Sequence, residues 1–86
     1  MGKIRYEIVE KDTEARDKIL SSLVDRPTQG IAFLSLMTGG PMSAADIVDF
    51  LSISDAWYAG LFDAAVKELA GRGIIREAKP LARSRR

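Results

Sequence analysis

Eighty-six residues, 47% of them apolar and 29% charged, provide material for one hydrophobic core and exclude a second domain. The absence of cysteine and histidine removes disulfides, ordinary zinc sites, thiol nucleophiles and the commonest general base, so the composition argues against an enzyme and names no cofactor or metal. The net charge of +1 conceals a division: residues 1–26 balance six positive against six negative, residues 27–70 carry one Lys against five acids (−4), and residues 71–86 set six positive against one Glu (+5).

Taken in chain order, Ile4, Tyr6 and Ile8 alternate with Lys3, Arg5 and Glu7, the period of two of a half-buried strand over residues 3–9. Thr13 reads as the cap of a helix that Pro27 stops near Asp25, with Ile19, Leu20, Leu23 and Val24 on one stripe. Thr28 opens a second helix, apolar nearly all round at Ile31, Ala32, Phe33, Leu34, Leu36 and Met37, which belongs at the centre of the domain. TGGP at residues 38–41 ends it and lacks the Lys and Ser/Thr of a phosphate-binding loop.

Ser43 and Asp46 have the spacing of a capping box before Ile47, Val48, Phe50 and Leu51. Asp46 and Asp49, three residues apart, read as solvated helix charges rather than metal ligands. Ser54 or Asp55 then caps a longer helix, where Tyr58, Leu61, Phe62, Ala65, Val66 and Leu69 mark the buried face and Gly71 and Gly73 the end. Trp57 falls at the edge of that face as a half-buried packing residue. The opposite face carries Ala56, Gly60, Asp63, Ala64, Lys67 and Ala70. Residues 74–78 form a strand that Pro80 ends, leaving residues 80–86 as a basic, disordered tail after a domain over residues 1–79.

IAFLSLMTGGP at 31–41, MSAADIVDFL at 42–51 and AVKELAGRGIIRE at 65–77 together resemble the core of winged helix-turn-helix proteins such as MarR-like and PadR-like regulators. The resemblance implies an α+β, mainly α fold with a three-helix core, an extra N-terminal helix and a small two-stranded sheet. It also implies that residues 55–72 form the recognition helix of a double-stranded DNA-binding regulator. Two departures stand out. The face of that helix opposite the buried stripe carries no Arg, Asn or Gln to read bases, and too few residues follow Ala78 for the usual hairpin wing. We therefore expect the N-terminal strand to pair with residues 74–78.

On this reading the DNA-contacting residues are Trp57, Lys67, Arg72, Arg76, Lys79, Arg83, Arg85 and Arg86, and the stripe Ile19, Leu20, Leu23 and Val24 is the interface of a homodimer. The alternative is an adaptor of the same fold whose acidic middle and Ala/Gly face meet a protein partner. The uncharged stretch over residues 27–45 is broken by Gly30, Gly39, Gly40 and Pro41, which excludes a spanning helix there. The first residues carry charges without an apolar run, so we expect a cytoplasmic protein without a signal peptide.

Overall fold

The computed structural model describes residues 4–78. They run in the order β1 (Tyr6–Ile8), α1 (Thr13–Ser22), α2 (Pro27–Gly39), α3 (Ala44–Phe50), α4 (Trp57–Gly71) and β2 (Ile75–Glu77). The class is α+β and mainly helical, with four helices and a two-stranded antiparallel sheet among the described residues.

The expected pairing of the two chain ends is present, with Tyr6 opposite Glu77, Glu7 opposite Arg76 and Ile8 opposite Ile75. Tyr6, Ile8 and Ile75 put their side chains into the core, and on the outer side Arg76 Nε donates to Glu7 Oε2 at 2.7 Å. Both strands are shorter than the alternation predicts. Ile4 and Val9 are exposed beyond β1, although Val9 N still donates to Ile74 O and Ala78 N to Arg5 O. The far edge of β1 is also engaged: Tyr6 N donates to Met42 O at 2.8 Å and Met42 N to Tyr6 O at 3.1 Å.

Helix α1 is capped by Asp12, not Thr13, its carboxylate accepting from Ala15 N at 3.0 Å. The helix stops at Ser22, three residues before the expected end. Leu23 there leaves helical geometry and enters the core, 1% exposed. This corrects its assignment to a dimer interface: Leu23 is already covered by its own chain. Pro27 opens α2 as well as closing what precedes it, since a first-turn proline loses no hydrogen bond, and Arg26 rather than Thr28 stands at the cap position.

Helix α2 is central, but it is not buried all round. Ala32, Phe33 and Leu36 face α3, α4 and β1, while Ile31 and Leu34 remain 44% and 48% exposed. The Ser43–Asp46 capping box is formed, Ser43 Oγ accepting from Asp46 N at 3.1 Å and Asp46 Oδ2 from Ser43 N at 3.2 Å. At the end of α4, Ile74 N donates to Leu69 O and Gly73 N to Ala70 O, the paired bonds of a Schellman cap. Gly73 holds the required left-handed conformation (φ 78°), whereas Gly71 is the last helical residue. Phe33, Leu23, Ile47, Leu69, Ile75 and Val66 are the largest fully buried side chains.

Leu23→Ala is expected to cost about 2–5 kcal/mol of unfolding free energy, as an apolar side chain removed from a filled site. The adjacent Val24→Ala should change it by less than about 0.5 kcal/mol. Urea unfolding of the two variants separates a core residue from a surface one.

Candidate interaction surfaces

The α3–turn–α4 unit begins with the capping box, which directs Ile47 and Val48 inward and leaves Asp46, Asp49 and Phe50 outside. In the turn, Ser52 N donates to Asp49 O and Ile53 N to Val48 O, both at 3.0 Å, and Ser52 takes a left-handed φ of 58°. Asp55 Oδ1 accepts from Trp57 N at 3.0 Å where α4 starts. The helix then buries Phe62, Ala65, Val66 and Leu69. Its outer face is the one the periodicity places there, with Ala56, Gly60, Ala64 and Lys67 exposed and Asp63 and Ala70 half-buried.

The first turn of α4 departs from the sequence reading. Trp57 is 63% exposed and Tyr58 38%, their rings meeting edge to face with centroids 5.0 Å apart. The stripe of α4 therefore reaches full burial only from Phe62, while Tyr58 is partly covered and Ala59 packs at the margin of the core. Phe50, 48% exposed, lies against the end of α2, where a Cβ on Gly39 would stand 3.0 Å from Phe50 Cε1. The glycine there makes room for the ring.

Each cation assigned to DNA within the described residues has an intramolecular partner. Lys67 Nζ lies 3.0 Å from Asp63 Oδ2. Arg76 pairs with Glu7 across the sheet. Arg72 Nη1 donates at 3.4 Å to Oε1 of Gln29, a buried amide whose Nε2 donates at 2.6 Å to Glu68 Oε1. Lys79, Arg83, Arg85 and Arg86 lie outside the described residues. Gln29 was not singled out in the sequence; its only signal is a polar residue on the inner side of an apolar helix.

The hydrogen bond that Lys67 donates to Asp63, followed by that carboxylate's charge, raises Lys67 above the ordinary lysine value of 10.5. A raised lysine pKa favours the protonated folded form below that value, and the benefit is lost as pH climbs through the folded pKa. The pair is solvent-exposed, so salt screens it.

A second surface lies on the opposite side of α2. Ile19 and Leu20 are half-buried against the core, Val24 is 84% exposed, and an apolar hollow opens between the end of α1 and the start of α2. A second hollow, near β1, is polar and lined by Glu7, Lys11 and Arg16 among others. Among the described residues no group of three His, Cys, Asp or Glu is gathered as metal ligands, and no helix is long and apolar enough to cross a membrane. No family model, curated protein or solved structure matches this chain.

Asp63→Asn is expected to return the titration of Lys67, followed by NMR at its ε-carbon, to that of an ordinary lysine. The unfolding midpoint should barely move, because the pair is exposed. An unaltered titration would mean that Asp63 is not the cause of the raised value.

Proposed function

We propose that this chain is a small binding module of the winged helix-turn-helix kind that recognises a protein through the outer face of α3 and α4. The order of elements supports the fold reading: a helix, an extended residue at Met42 that pairs in the sheet, two helices joined by a tight turn, then β2, with β1 taking the place of a second wing strand. One observation carries the choice of partner. The α3–α4 unit presents Asp46, Asp49, Asp55 and Asp63 against Lys67, which Asp63 already engages, while Glu68 and Arg72 at the far edge of α4 are tied to each other through Gln29. A duplex would have to bring its phosphates against that field. A protein meets there the small side chains of Ala56, Gly60 and Ala64 together with exposed Trp57, the type of aromatic anchor that dominates protein interfaces.

A second reading, duplex DNA held by phosphate contacts, is favoured by the +5 charge of residues 71–86. In that reading deletion of residues 83–86 lowers the slope of log affinity against log salt by up to roughly 2.7, at about 0.9 per phosphate contact.

Ala64→Arg separates the two. It adds a long cation to the outer face of α4 without touching the core, and circular dichroism verifies the fold. In the protein reading, affinity for a random duplex stays within about threefold of wild type at low and moderate salt, because the face does not approach DNA. A tightening of about tenfold or more that salt abolishes would overturn the protein reading in favour of DNA.

A further inference from the structure

The hollow between α1 and α2 is lined by Leu20, Val24, Pro27, Ile31 and Leu34. Exposed apolar residues scattered singly need no explanation, but these sit round one depression, and Val24, at 84% exposure, is the most open large apolar residue of the described chain. The question is what covers it.

Charge distinguishes between kinds of partner. Two adjacent pairs of opposite charge stand next to the lining residues along the chain, Asp17 with Lys18 one turn before Leu20 and Ser21 on α1, and Asp25 with Arg26 between Val24 and Pro27; all four are exposed and their sum is zero. Such a border is self-complementary. A two-fold contact sets residue i of one copy against residue j of the other and the reverse, so Asp25 of each copy can face Arg26 of the other. The acidic α3–α4 face lacks this property and would repel its own copy.

We propose that two copies of this chain associate through the α1–α2 hollows, with Val24 and Ile31 of each packed against the other copy and Asp25 and Arg26 closing the border. The contact is independent of what α3 and α4 bind. The hollow is small beside the roughly 800 Å² per partner of a standard stable interface, so the association is weak, with a dissociation constant in the micromolar range. Its use is to present two α3–α4 faces on one particle, which raises the affinity for any repeated or two-fold partner by linking the binding events.

Sedimentation equilibrium from low to several hundred micromolar tests this directly. Wild type is expected to move from 9.4 kDa toward twice that mass as concentration rises. Val24→Asp and, separately, Ile31→Lys should hold the chain at the monomer mass with unaltered circular dichroism. Asp25→Arg alone should weaken the dimer, and Asp25→Arg with Arg26→Asp should restore it, an outcome that simple surface loss does not produce. A wild-type monomer throughout the range would overturn the proposal, as would a dimer that survives Val24→Asp. A dimer lost on Trp57→Ala but not on Val24→Asp would place the contact on the α3–α4 face instead.

Discussion

Strand β1 has hydrogen-bonded neighbours on both edges, Met42 on one and β2 on the other, and through it both ends of the described chain are tied to the entrance of the α3–α4 unit. Three residues of strand have no stability of their own. They persist because Tyr6 and Ile8 bury their side chains against α2 and because the two partners take up backbone groups that burial would otherwise leave unmet. The helices pack chiefly as α3 on α4 and α2 on α4, with α3 also against α2, and β1 closes still longer loops to Met42 and Ile75 from residues 6 and 8. Closure of this kind costs chain entropy before any contact repays it, so the sheet depends on the helices already being docked.

The same packing explains the surface. The described residues fill one side of α2, while on the other α1 covers it only in part. The core takes Ala32, Phe33 and Leu36 from that helix and leaves Ile31 and Leu34 open. What remains outside on the described residues divides by chemistry: carboxylates on α3 and α4, and an apolar hollow with balanced charges beside it between α1 and α2. The near-zero net charge is thus a sum over segments of unlike character, and a binding argument built on the sum would miss them.

Much of this organisation is legible in the residues. The capping box at Ser43 and Asp46 announces where α3 begins, because its spacing is set by the helix that it caps. The pairing of β1 with β2 follows the apolar residues that both segments offer to one face. The errors have a common form, a period extended past the point where an element stops. Leu23 and Val24 continue the α1 stripe on paper, but the helix ends at Ser22, so the next residue turns into the core and the one after it points to solvent. Tyr58 continues the α4 stripe but lies at the margin of the core, only partly covered. Asp12 and Thr13 are both good caps at adjacent positions, and only the geometry of the incoming chain selects Asp12. The partners of the cations were invisible for a different reason: Gln29 meets Glu68 and Arg72 across 39 and 43 residues, and Arg76 meets Glu7 across 69, separations over which no local pattern carries information.

Those partners bear on which surface can recruit phosphate. An arginine in water exchanges one hydration shell for a phosphate and releases counterions in doing so. Arg72 starts from a different state. Its guanidinium donates to the amide oxygen of Gln29 while the amide nitrogen donates to Glu68, so one buried side chain links an anion and a cation on the same edge of α4. Turning Arg72 outward would strip Gln29 Oε1 of a donor at a site only 7% exposed, where water is a poor replacement. Arg76 and Lys67 would each have to release a carboxylate that then stands beside the incoming phosphate. Exposed pairs of this kind are individually weak, but every exchange begins with a like charge left at the contact, and the cost of that repulsion falls on the phosphate. A protein partner faces no such exchange: it can leave all three pairings in place and dock on Trp57 and the small residues of α4, which donate nothing that has to be broken first.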